Sequence, residues 1–204
     1  MKATKWKSYS LALIAGMSVL TACSSDDNND NGGNGNNGNG NEIENGTTLK
    51  GTITSDVTLT AGSTYKLSGE YIVEDGATLN IEAGVKIISI YDDIVDYILV
   101  KQGGKINAVG TSSAPIVMTS EKEEPGAWGG IHICGKAHTN AEGGKGSSEI
   151  GGATYGGNDD ADNSGTLKYV RVEYSGYAFD SEHEANGITS VSYTHLRAHE
   201  TRGN

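Results

Sequence analysis

Basic side chains are scarce in this 204-residue chain, which carries 15 Lys and Arg against 26 Asp and Glu. Between residues 24 and 190 the imbalance is steeper, ten against twenty-five, a formal charge near −15. That balance argues against nucleic acid as a partner, because such binding rests on neutralising phosphates with lysine and arginine. It equally disfavours a bare anionic membrane surface. Long apolar runs are missing too. The stretch "LALIAGMSVLTA", residues 11–22, is too short to span a bilayer, which takes roughly 20 apolar residues. No helix-period segment of useful length appears in the body of the chain. Cysteine occurs twice, at Cys23 and Cys134, and phenylalanine once.

What is present begins at the N-terminus. "MKATKWKS" supplies three lysines and no acid, and the apolar stretch behind it closes on small residues. These are the parts of a secretory signal. Leu20-Thr21-Ala22-Cys23 resembles the lipobox of bacterial lipoproteins, where cleavage falls just before the cysteine and that cysteine carries lipid. The resemblance implies a signal peptide over 1–22, lipid attachment at Cys23 and an outer-membrane lipoprotein. Its acyl chains hold the membrane at about 0.8 kcal/mol per buried methylene. Asp26, Asp27 and Asp30 follow, and then "GGNGNNGNGN". With no apolar surface to offset chain entropy, residues 23–46 are expected to form a flexible tether. "CSSDDNND" is similar to the acidic export signal of Bacteroidetes lipoproteins bound for the cell surface, which implies surface exposure. With Cys23 lipidated, Cys134 is left without a disulfide partner.

The far end changes character. Two of three arginines, Arg197 and Arg202, and two of five histidines fall within "VSYTHLRAHETRGN". "SYTHLRAHETRGN" resembles a translated sequencing-adapter read-through, so residues 191–204 are expected to be an artefactual tail on a truncated chain. His195 and His199, spaced four apart as helical metal ligands are, carry no weight for that reason.

Between the ends the chain repeats. Leu59-x-x-Gly62-x-x-Tyr65-x-Leu67 recurs as Val73-x-x-Gly76-x-x-Leu79-x-Ile81 and as Val100-x-x-Gly103-x-x-Ile106-x-Ala108. Each unit reads as a short strand, a glycine corner and a second strand whose apolar residues, two apart, share one face. Glycine at the corner permits a positive φ. Further strands are expected at "PIVMTS", "WGGIHI" and "LKYVRVEYSG". Short strands, glycine corners and no helices fit an all-β β-sandwich or a β-solenoid. Asn-Gly or Asp-Gly hairpin chemistry would mark the sandwich, but only Asp75-Gly76 has it among the three corners. The repeat therefore favours a solenoid over residues 47–190, with the sandwich as alternative. Copies spaced 14 and then 27 residues apart imply loops of variable length.

"VEDGATLNIEAGVKI", "ILVKQGGKINAVGTSSAPIVMTS", "GAWGGIHICGKAHTN" and "GTLKYVRVEYSGYAF" together resemble Bacteroidetes lipoproteins with a right-handed parallel β-helix. The resemblance implies the pectate-lyase-like fold. It implies little about activity, because that fold hosts lyases, hydrolases, adhesins and structural spikes.

Candidate chemistry is sparse. In "DADNSG", Asp160, Asp162 and Ser164 place oxygens at alternate positions as in the first half of a calcium loop, but the twelfth position is Arg171, where a glutamate is needed. In "KYVRVEY", Tyr169, Arg171 and Glu173 are expected on one strand face, with Val170 and Val172 on the other. An arginine beside a glutamate there reads as a surface ion pair. His132, between Ile131 and Ile133, is expected to face outward, and His138 to lie in a loop. Tyr169, Tyr174 and Tyr177 are candidate sugar-stacking aromatics, although tyrosine also lines β-surfaces for propensity alone. These features favour a non-catalytic binding or adhesion module at the cell surface, for glycans first, with an extracellular protein as the other partner. A polysaccharide lyase using calcium and Arg171 and a purely structural surface protein are the alternatives.

Overall fold

The computed structural model describes residues 41–178 and 184–192, together with the backbone of 197–199. The expected signal peptide, Cys23, most of the tether and His195 lie outside the described residues. Apart from one 3-10 turn at Glu142–Gly144, the described elements are all strands. The first coil holds β1 (Asn41–Ile43) and β2 (Thr48–Ile53), the second β3 (Val57–Leu59) and the long β4 (Thr64–Val73). The third is β5 (Thr78–Ile81), β6 (Lys86–Ser89) and β7 (Tyr97–Val100). The fourth is β8 (Lys105–Val109), β9 (Ile116–Ser120) and β10 (Ile131–Cys134). An insertion contributes β11 (Gly146–Ser147) and β12 (Thr154–Tyr155). The fifth coil is β13 (Gly165–Lys168), β14 (Val170–Val172) and β15 (Ile188–Val191), with β16 (Arg197–His199) last.

Equivalent strands of successive coils pair in parallel and build three faces. Face A stacks β1, β3, β5, β8, β13 and β16. Face B stacks the first half of β4 with β6, β9 and β14. Face C stacks the second half of β4 with β7, β10 and β15. Among the described strands the β11–β12 pair alone is antiparallel. The arrangement is a parallel β-helix, and the sandwich is excluded. Like residues stack inside it, because parallel register places the same repeat position on each rung. Leu59, Ile81, Ala108 and Leu167 form one such column, and Tyr71, Ile98 and Ile131 another. Both columns are buried. Full burial of a Leu or Ile side chain contributes about 1.5–3 kcal/mol.

The uneven repeat spacing now has a cause. Gly62 turns the chain from face A to face B, whereas Gly76 and Gly103 turn it from face C to face A. A step of 14 is thus part of a coil, and a step of 27 a whole one. Gly46 and Gly84 complete the Gly62 column: the Gly62 N–H bonds to Ala83 O and the Gly84 N–H to Ala114 O, one coil further each time. All of these corner glycines have positive φ. Register pairs Asn41 with Val57, Val57 with Leu79, Leu79 with Ile106 and Ile106 with Gly165. By difference, the coils take 16, 22, 27 and 59 residues. The growth lies in the connections, above all residues 135–164.

That insertion folds back over face C. Ala153 and Tyr155 pack with Ile72, Leu99 and Cys134, all on the outer side of the sheet. Gln102 clips the insertion at two points, its side-chain amide donating to Gly135 O at 2.8 Å and to Gly156 O at 2.7 Å.

Three expectations are corrected. His132 does point away from the helix interior, but it is only 1 % exposed because the insertion covers it. "LKYVRVEYSG" is two strands on two faces, broken at Tyr169, whose φ of 51° makes the corner. The tether boundary also moves, since β1 begins at Asn41, inside the segment expected to be loose. Ile43 packs against the core there, and its carbonyl accepts the Tyr65 hydroxyl at 2.9 Å.

Candidate functional site

The outer side of face A carries a row of uncharged polar side chains at equivalent positions of successive coils. Thr58, Asn80 and Asn107 are register partners, extended by Thr166 after, while Glu42, the partner of Thr58 in β1, puts a carboxylate on the rung before. Strand alternation dictates the row: Leu79 and Ile81 point inward, so Asn80 points out, and the same holds for Asn107 between Ile106 and Ala108. Neighbouring rungs are about 4.8 Å apart. The Asn107 amide donates to the Asn80 side-chain oxygen at 3.2 Å, which orders both side chains. The corner residues Ala61, Glu82 and Ala83 complete the lining, with Val109 exposed beside the row. The result is an open groove of about 590 Å³, a size that suits small-molecule or oligomeric ligands. Glu82 is held by the Ala61 N–H, which donates to its Oε2 at 2.8 Å.

The groove lies within residues 51–193, the segment matched by a family model described as a pectate-lyase like beta helix domain. The chain belongs to that family. No curated protein and no solved structure matches it. Membership in the pectate-lyase-like β-helix family accounts for the coils, the parallel register and the glycine corners. It assigns no residue of this chain a role.

The other candidates are scattered over this β-helix. Asp162 and Ser164 are buried at the end of the insertion and bonded to each other, the Ser164 hydroxyl donating to Asp162 Oδ2 at 3.0 Å. Asp160 is exposed and accepts the His138 N–H at 3.1 Å. Among the described residues no three of His, Cys, Asp and Glu gather into a group able to hold a metal. The Asp162 and Ser164 oxygens thus bond each other, while Asp160 holds the His138 amide. Arg171 sits on face B, paired with Glu173 at 2.8 Å as the strand pattern suggests, and strand β13 with its corner separates it from Asp162. Tyr169 precedes β14, while Tyr174 and Tyr177 follow it. The three tyrosines therefore do not share one strand face. The Tyr169 ring lies under the Lys168 ammonium, 5.6 Å from its centroid.

Beneath the insertion lie two reactive side-chain types that the structure makes inert. Burial lowers the His132 imidazole pKa, one nitrogen bonding Gly129 O at 3.0 Å while Nδ1 has no partner. Burial pushes the Cys134 thiol up to about 11. A neutral imidazole and a protonated thiol suit packing rather than nucleophilic catalysis.

Sequence reasoning missed Asn80 and Asn107, although a signal existed. Both occupy the same slot in aligned repeat copies, between the two final apolar positions. Reading the repeat for its apolar residues passed over the position between them.

Proposed function

We propose that this chain is a surface-displayed binding module that holds glycan in the groove of face A. The observation that carries this reading is the Asn80–Asn107 pair on Thr58–Asn80–Asn107, three successive rungs of a rigid sheet. Amides and hydroxyls both donate and accept, as sugar hydroxyls do. Their fixed spacing presents an extended ligand with repeated, preorganised contacts. Val109 and the corner alanines supply apolar surface for the faces of sugar rings. Lipid at Cys23 and the tether after it would display the module from the outer membrane, as the lipobox resemblance implies.

Glycan-array retention of the full chain, compared with Asn80→Ala and Asn107→Ala, tests the site. The expected result is retention without release of sugar products, weakened at least tenfold in each variant. Unsaturated products that appear with calcium and vanish in Arg171→Ala would favour a lyase instead. Retention unchanged in both asparagine variants would move the site off face A.

A further inference from the structure

Resting on that reading, we infer that the groove takes an electrically neutral, hydroxyl-rich glycan chain lying along the helix axis, and discriminates against uronic-acid and sulfated polymers.

The first observation is charge. The side chains that form the groove are neutral except one, and that one is the carboxylate of Glu82. Recognition of a carboxylate or sulfate ester needs cations, best presented as bidentate arginine or as lysine point charges. Lys105 and Lys168 share the sheet but stand outside the lining, and Lys168 is engaged over the Tyr169 ring. Arg171 belongs to face B and is paired with Glu173. A polyanion would thus meet a fixed negative charge with no cation lining the groove, on a body whose formal charge is already near −15 between residues 24 and 190.

The second observation is the pattern of donors and acceptors. The Asn107 Nδ2 to Asn80 Oδ1 bond leaves the Asn80 amide NH2 as donor and the Asn107 carbonyl oxygen as acceptor. Thr58 contributes a hydroxyl able to act either way, and Glu82 Oε2 is already engaged with Ala61, leaving Oε1 to accept. The row therefore offers both roles along one line. Hydroxyls match both, whereas an ionised carboxylate only accepts and would leave Asn107 Oδ1 and Glu82 unmatched.

The third is direction. The polar row crosses the strands, so a ligand following it runs parallel to the helix axis. The three central rungs span about 10 Å, and Thr166 extends the uncharged row to about 14 Å, with the Glu42 carboxylate one rung beyond Thr58. Binding should strengthen with oligomer length until that span is covered.

The test sets a pair of ligands that differ chiefly in charge beside a panel of neutral polymers. The full chain is titrated at about 0.15 M salt with polygalacturonate, with its fully methyl-esterified form, and with a panel of neutral glucans, galactans, mannans and xylans of graded length. Tightest binding to a neutral polymer, at least tenfold tighter than to polygalacturonate and growing with length over the first few sugars, is expected. Glu82→Gln should narrow the neutral-to-acidic ratio at least threefold, and Asn107→Ala should weaken the neutral ligand at least tenfold. Circular dichroism of each variant checks that the β-helix is intact. Polygalacturonate bound as tightly as the best neutral polymer, and lost in Asn107→Ala, would overturn the inference while leaving a glycan site on face A. No binding to any polymer would overturn both.

Discussion

Ser89 donates its hydroxyl to Asp96 Oδ2 at 2.7 Å, with both residues about 1 % exposed. The other carboxylate oxygen accepts the Gly69 N–H from the preceding coil, and the Asp96 carbonyl accepts the Gly129 N–H from the next. One residue thus ties three coils together where face B turns into face C. It also closes the loop that carries Tyr91 and Ile94, the two most exposed large apolar side chains described.

Burial pushes the Asp96 carboxyl up from 3.8 to about 6, against the lowering effect of its hydrogen bonds. The folded state therefore holds this proton more tightly than the unfolded chain does. The stabilisation from protonation grows as pH falls through about 6 and is complete below about 4. Asp96→Asn keeps an acceptor for the Gly69 N–H and removes the charge. Chemical denaturation at pH 7.5 should find the variant more stable by about 1–3 kcal/mol. The advantage should shrink toward zero near pH 4, and an equal difference at both ends of the range would refute the argument.

Gln102 donates to both Gly135 O and Gly156 O, so Gln102→Ala removes a donor from each, although Gly135 O keeps the Gly156 N–H. A loss of about 1–3 kcal/mol is expected, felt first as opening of residues 135–164. Cys134 reports it directly, being wholly buried beneath the insertion. Thiol labelling, followed by peptide mass spectrometry, should be slow in the wild type and many-fold faster in the variant. Equal rates would show that the insertion is held by its apolar contacts instead.

Gly62, at a corner, and Gly165, in strand β13, should differ sharply on substitution. At Gly62, with φ of 71°, an added Cβ meets nothing within 4 Å, so Gly62→Ala costs only the left-handed backbone, about 1–2 kcal/mol. At Gly165, with φ of 120°, the Cβ would fall into the Ile106 carbonyl oxygen of the neighbouring rung. Gly165→Ala should lower the thermal midpoint much further or prevent folding. Similar midpoints for the two variants would contradict this packing.

The anchor is tested at Cys23. Cys23→Ala should leave the precursor uncleaved or release the protein from membranes, read by fractionation and by the N-terminus of the mature chain. A variant that is processed normally and remains wholly in the membrane fraction would exclude lipidation at this residue.

The coils were legible in the sequence wherever glycine marked a corner. Gly62, Gly76 and Gly103 each follow an apolar residue by three and precede another by three, because the chain must turn between inward-pointing positions. The corner at Tyr169 was not legible, since a tyrosine there adopts positive φ without any glycine to announce it. Alternation placed His132 on the outer side of its strand correctly. What covers that side is decided by residues 135–164, which contact it through Ala153 and Tyr155 far along the chain.

By itself, then, the sequence determined the local geometry of this protein: period-two burial and glycine corners are properties of a few adjacent residues and leave their mark in composition. Tertiary structure decided which corners stack on which. It brought Asn80 beside Asn107 across 27 residues, joined Asp96 to Gly69 and Ser89, and buried His132 and Cys134 beneath the insertion. Each of those relationships depends on register between coils of unequal length, and register is fixed only when the whole apolar interior packs together.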